Sequence, residues 1–173
     1  LSNGIVSATI DKAGARITAY KFRDFDMLTA GYYSMDGGKD YRTPANCIYQ
    51  VKVNTPDLVD IGMRRGWKDE PQAFDIEVHY VLRRGDPGLY TYASLEHPAS
   101  YPATRVGEWR MVWKLNGDLL EKIFVDEKRQ WVMPTSQDKK ASQATSIPEI
   151  RKYTTGLWAG KFECKYDYNV EYY

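Results

Sequence analysis

An antiparallel, all-β sandwich is the fold class this sequence predicts, and three observations carry it. Apolar and polar residues alternate with period two in several segments, the spacing that sorts side chains onto opposite faces of a strand. Gly, Pro and Asp gather between those segments as turn signals. No amphipathic pattern of ten or more helical residues stands anywhere in the chain. At 173 residues the expectation is one domain with room for a proper core.

The elements follow in order. Ile5–Ile10 and Ile17–Phe22 are β-type runs, separated by Asp11–Arg16 with Gly14 as the turn residue. The loop Met35-Asp36-Gly37-Gly38-Lys39-Asp40 has a glycine pair suited to a tight turn. Cys47–Asn54 alternates again and is punctuated by Pro56, while Met63–Pro71 reads as a polar loop carrying Trp67. Phe74–Leu82 is the clearest strand. Leu89–Glu96 is its partner across the turn Arg83-Arg84-Gly85-Asp86-Pro87-Gly88. His97 precedes a proline and is expected to be structural.

The central stretch is Arg105–Leu115. As a strand it puts Trp109, Met111, Trp113 and Leu115 on an apolar face, and Glu108, Arg110, Val112 and Lys114 on the other. A guanidinium on such a platform is suited to gripping a planar carboxylate through paired hydrogen bonds. Beyond it, Ile123–Asp126 and Gln130–Met133 flank Glu127-Lys128-Arg129. Pro134–Ser146 is polar, lacks periodicity and is expected to be a solvent loop or lid. Lys161–Val170 alternates once more, with Phe162, Cys164, Tyr166 and Tyr168 opposite Lys161, Glu163, Lys165, Asp167 and Asn169. The sequence then stops at Glu171-Tyr172-Tyr173 in β-type sequence, so a fragment of a larger domain is expected.

Composition excludes several classes. A net charge of +1 argues against a nucleic-acid binder driven by a basic surface. No run approaches the length of a membrane span. With two Cys and two His, a zinc site of those ligands is not expected, nor is any other metal or cofactor. Cys47 and Cys164 allow one disulfide without demanding it. The 14 Tyr and 5 Trp suit strands and also surfaces that stack on sugar rings; Trp67, Tyr90 and Tyr92 are candidates for either.

With these residues in view, the chain resembles the rhamnogalacturonan lyases of polysaccharide lyase family four. The likeness rests on HYVLRRGDPGLYTYASLEHPASYPATRVGEWRMVWKL (79–115), VDEKRQWVMP (125–134) and TTGLWAGKFECKYDYN (154–169), with LSNGIVSATIDKAGARIT (1–18) and GYYSMDGGKDYRTP (31–44) in support. The resemblance implies the amino-terminal portion of a catalytic super-β-sandwich, galactose-mutarotase-like and here incomplete. The fibronectin-III-like and carbohydrate-binding-like domains that follow in the family are absent. It implies a secreted, extracellular, monomeric enzyme. That enzyme cleaves the α-1,4 bond between rhamnose and galacturonic acid in rhamnogalacturonan I, a pectic polysaccharide, by β-elimination. Gly107-Glu108-Trp109-Arg110 matches the family's Gly-Glu-x-Arg stretch, which makes Arg110 the carboxylate-facing arginine. Cys164-Lys165-Tyr166 matches the motif of the base, which makes Lys165 the group that removes the C5 proton. Glu108, Lys114, Lys161 and Trp67 are the remaining substrate-binding candidates, with Lys161 second to Lys165 as base. The family's later Tyr and His residues have no counterpart, so the piece alone is expected to be a weak or inactive catalyst. The competing expectation is a non-catalytic carbohydrate-binding or mutarotase-like sandwich. A hydrolase would need two facing carboxylates, and no such pair stands out.

Overall fold

A computed structural model describes residues 1–36, 41–146 and 150–163. They fall into two compact units, Leu1–Asn116 and Gly117–Tyr173. The first unit carries, in chain order, β1 (Val6–Asp11), β2 (Arg16–Phe22), β3 (Phe25–Asp36), β4 (Tyr41–Arg42), β5 (Ile48–Asn54), β6 (Leu58–Arg65), β7 (Asp75–Arg83), β8 (Leu89–Glu96) and β9 (Trp109–Leu115). These make two antiparallel sheets. One runs β1-β2-β3-β4 with β9 added to β3; the other is the meander β5-β6-β7-β8. The all-β, antiparallel sandwich expected from period-two patterning is the fold observed.

The core lies between the inner faces of these sheets. Ala15, Ile17, Leu28 and Tyr33 from the first meet Ile61, Met63, Val78 and Tyr80 from the second, all buried. Alternation explains which residues enter. In β7, Val78, Tyr80 and Leu82 point inward, while Asp75, Glu77 and His79 stand on the opposite face. Tyr80 is fully buried, and its hydroxyl donates to the carbonyl of Ala15 at 2.8 Å, tying the centre of one sheet to the β1–β2 turn of the other. Burial pushes its phenol pKa far up, so the group stays a donor at every working pH.

The β1–β2 turn differs from the sequence expectation in detail. The left-handed residue is Ala15, with φ 49°, and not Gly14. Gly14 serves a different need: a Cβ there would stand 2.6 Å from Asp11 Oδ2, the oxygen that accepts from the Gly14 N–H. Met63–Arg65, read above as the start of a loop, complete β6, because Met63 is wholly buried and sets the register there. The strand β3 was not legible as a strand at all. A register shift between Leu28 and Ala30 breaks its alternation, so no uniform period-two pattern reports it.

The second unit contains β10 (Lys122–Phe124) and β11 (Gln130–Val132) as a hairpin, helix α1 (Ser136–Ala141), and a small sheet of β12 (Gln143–Ala144), β13 (Arg151–Lys152) and β14 (Phe162–Glu163). The polar stretch 134–146 therefore holds a short helix where a loop was expected. Its cause is a capping box: the Thr135 side chain accepts from the Asp138 N–H, and the Asp138 carboxylate accepts from the Thr135 N–H. Asp138 also accepts from the Thr155 hydroxyl at 2.7 Å, which fastens α1 to the loop before the 3₁₀ turn at Gly156–Trp158. A Cβ at Gly156, whose φ is +64°, would stand 2.6 Å from Asp138 Oδ1.

Two expected outcomes follow from this packing. Tyr80→Phe removes the hydroxyl that donates to the buried Ala15 carbonyl and lowers unfolding free energy by about 1–3 kcal/mol in denaturant titration; Tyr90→Phe, at the exposed edge, leaves the transition in place. Hydrogen bonds from the Thr155 and Thr135 side chains and the Thr135 N–H hold the Asp138 carboxyl below its usual 3.8. Its contribution is therefore complete above pH 4 and is lost as pH falls through the depressed value. Amide shifts of Thr135 and Thr155 titrating below 3.8 verify this; a midpoint above it contradicts it.

Candidate functional site

Arg110 is placed by the pairing of β9 with β3. In register it stands opposite Ser34, Trp109 opposite Met35 and Met111 opposite Tyr33. Trp109 and Met111 pack toward the core, and the Trp109 ring stacks on Tyr33 at 5.3 Å. That leaves Arg110, with Val112 and Lys114, on the other face of the sheet, as the alternation predicts. Its Nε–H donates to the hydroxyl of Ser34 at 3.0 Å, and Ser34 is almost wholly buried. One guanidinium nitrogen lies 3.7 Å from the Glu108 carboxylate. Both side chains are a little under one-third exposed, 28% and 30%, so the group is oriented by the protein while part of it still faces solvent.

The turn that delivers Glu108 is tight. The Asp36 N–H donates to the Glu108 carbonyl at 2.8 Å, and a Cβ at Gly107 would stand 2.9 Å from Asp36 Oδ2. A side chain at 107 would have to displace the Asp36 carboxylate. Beside this turn lies an open groove of about 670 Å³, lined among others by Asp36, Gln72, Thr104, Arg105 and Gly107. Ser34 and Asp36, which hold Arg110 and its turn, were missed in the sequence because β3 itself was missed. Their signal is indirect: a small polar residue between Tyr33 and Met35, facing an arginine only once the register is known.

Other candidates divide. Lys114 shares the Arg110 face but stands four residues along the strand, about 13 Å away by strand rise. At that spacing the two cations do not converge on one carboxylate. Trp67 is committed to packing: its indole N–H donates to the Glu70 carbonyl at 2.8 Å and its ring lies against Tyr101 at 4.9 Å. Asp75 fastens that loop, accepting from the Trp67 N–H, the Tyr101 hydroxyl and Arg64. Burial raises the Asp75 pKa, but those donors outweigh it and hold the carboxyl below its ordinary range. Tyr92 stacks on His79 at 4.3 Å, with its hydroxyl 2.9 Å from His79 Nδ1, which also faces Asp60 at 2.9 Å. In the second unit, Lys161 carries its ammonium over the Trp131 ring at 4.4 Å. Lys165 and Cys164 lie outside the described residues.

The sandwich and the anchored arginine together define a β-sandwich that carries an oriented, part-exposed cation on a strand. The model of the Rhamnogalacturonate lyase family matches residues 1–152, and the chain belongs to that family. Membership carries a polysaccharide-lyase-related function and a pectic polysaccharide as the class of substrate. The match includes Arg110, Glu108, Lys114 and Trp67; Lys161 and Lys165 follow it in the chain. No curated protein and no solved structure matches the chain significantly. Among the described residues no helix is long and apolar enough to cross a membrane, and no cluster of His, Cys, Asp and Glu is arranged to hold a metal.

The Ser34 contact gives a direct expectation. Ser34→Ala removes the oxygen that fixes Arg110 Nε–H, so that proton exchanges faster with solvent, by about fivefold for a bond worth roughly 1 kcal/mol. Nitrogen-15 exchange spectroscopy of the arginine Nε–H groups reads it; unchanged protection would show that the hydroxyl does not hold the guanidinium.

Proposed function

We propose that this chain is the amino-terminal portion of the catalytic β-sandwich of a secreted rhamnogalacturonan lyase. The enzyme cleaves the α-1,4 rhamnose–galacturonic acid bond of rhamnogalacturonan I by β-elimination. The observation that carries the reading is Arg110: a guanidinium held on a strand by Ser34 and Glu108, inside the stretch matched by the lyase family.

Elimination from a uronate has three requirements. The carboxylate must be neutralised so that negative charge can build at C5, a base must take the C5 proton, and the departing oxygen must receive a proton. Arg110 meets the first, because a preorganised cation stabilises charge as it develops and needs no reorganisation at that moment. Glu108 keeps the guanidinium aimed, and the planar geometry of a guanidinium matches that of a carboxylate. Lys165 is the base in this reading. A free lysine has a pKa of about 10.4, so its activity needs either nearby cations and desolvation or an alkaline medium. Lys114 serves the adjoining uronate or its linkage, as its spacing from Arg110 requires.

The test supplies rhamnogalacturonan I backbone to the chain and to the full-length protein, and follows the ultraviolet absorbance of unsaturated uronide ends. Expected are loss of about 10²–10³-fold in kcat for Arg110→Ala and 10²–10⁴-fold for Lys165→Ala. The rate should rise toward alkaline pH as the lysine loses its proton. Full activity in Lys165→Ala, or binding of the polymer with no unsaturated product from full-length protein, would falsify the proposal; the latter result points to a silent carbohydrate-binding sandwich.

A further inference from the structure

From the second unit we infer that the groove between the β10–β11 hairpin and the turn before β14 is a binding subsite for an anionic sugar, a pyranose bearing a carboxylate. The inference rests on the pectic substrate class of the proposed function; it gives Lys161, already a substrate-binding candidate, a defined setting and adds Lys122, Phe124, Trp131 and Leu157, to which neither the resemblance nor the family match gives a role.

The groove is formed by Lys122, Phe124, Gln130, Trp131, Leu157 and Lys161, among others, and has a volume of about 700 Å³. It is open and unusually apolar for a water-facing surface. Phe124 is 67% exposed, Trp131 53% and Leu157 73%. Each exposes apolar area that gains free energy when covered. The walls are held in place. Hairpin pairing sets Ile123 opposite Trp131 and Phe124 opposite Gln130. The Trp158 indole N–H donates to the Val132 carbonyl at 2.8 Å, fastening the 3₁₀ turn beside β11. The Lys161 N–H donates to the Trp158 carbonyl at 2.8 Å, and the Lys161 carbonyl accepts from the Tyr153 N–H at 2.9 Å. Thus the backbone that carries Lys161 is positioned by the same turn that forms the wall.

Charge selects the occupant. The groove is lined by two ammonium groups, Lys122 and Lys161, and by no carboxylate among the described residues. Lys161 lies over the Trp131 ring, where attraction to the π face holds the cation above the apolar floor. An ammonium in this position pairs with a carboxylate beside the ring, in a setting drier than open surface. The C–H faces of the same sugar then cover Phe124 and Leu157 and the edge of Trp131 that Lys161 leaves uncovered. A purely apolar partner would leave both cations to be desolvated without compensation. A neutral sugar would forgo the ion pair. An acidic saccharide satisfies both features at once.

The test titrates the 173-residue chain with a trimer of α-1,4-linked galacturonate, and separately with its uncharged methyl ester, while nuclear magnetic resonance follows the Trp131 indole N–H. Trp131→Phe assigns that signal, and an unmoved Trp158 indole N–H reports that the turn is intact. Expected is a saturable shift with the acid, an affinity about tenfold lower for Lys161→Gln and for the methyl ester, and weakening with salt; for Trp131→Ala, which lacks the indole signal, calorimetric titration reads a loss of about tenfold or more. An ester that binds as tightly as the acid overturns the inference, and so does a Trp131 signal that ignores saturating acid, which would mean that another part of the protein or a different partner covers the groove. Because binding is read without turnover, the lyase reading is judged apart: absence of elimination alongside an intact Trp131 response counts against the enzyme proposal alone, and elimination with no Trp131 response against the groove alone.

Discussion

One buried hydrogen bond organises the first unit. Tyr80 crosses from the meander sheet into the space between the sheets, and its hydroxyl has to find an acceptor there or bear the full cost of desolvation. The Ala15 carbonyl supplies that acceptor, at a turn whose residue is forced into left-handed backbone. The two sheets are thereby held in one relative position, and Ile17, Leu28, Tyr33, Met63 and Val78 pack around the bond. Dispersion and burial supply the bulk of the stability and set the register within each sheet, but they are less exacting about how one sheet lies on the other. The directional bond adds that constraint.

That choice propagates to Arg110. With Tyr33 fixed in the core, β3 presents Ser34 to its other face, and β9 pairs so that Arg110 falls opposite it. Trp109 stacks on Tyr33 and seals the arrangement from the inner side. The guanidinium is therefore aimed by three independent restraints: the ladder, the Ser34 hydroxyl and Glu108. A preorganised cation of this kind is what an elimination from a uronate asks of its protein.

The outer face of the meander sheet shows a different use of charge. Lys52 meets Glu77 at 2.6 Å, and Arg64 bridges Asp75 and Glu96. The Lys52 hydrogen bond, more than burial, sets Glu77 below its ordinary range. Gly62 sits beneath this layer, where a Cβ would meet Lys52 and Glu77 at under 3 Å. The charges lie across the sheet because the glycine leaves them room. They pin the loops after β6 and β8, Trp67 among them, so the aromatic that the sequence offers for sugar contact is also packed against Tyr101.

Period-two patterning by itself determined the all-β class, the strands from Phe74 to Glu96 and the two faces of β9, because those signals arise within one strand and need no partner. It determined also that an arginine and a lysine share a polar face. The tertiary structure alone decided that β3 exists as one long strand, since its bulge hides the alternation. It alone decided that Ser34 is the partner of Arg110, since their 76-residue separation closes only through sheet pairing. Helix α1 was hidden in polar sequence because its cause, a reciprocal cap at Thr135 and Asp138 reinforced by Thr155, is spread over 20 residues that carry no apolar period. Local chemistry is written in the order of residues; which distant side chain completes a hydrogen bond depends on where the core brings the strands together.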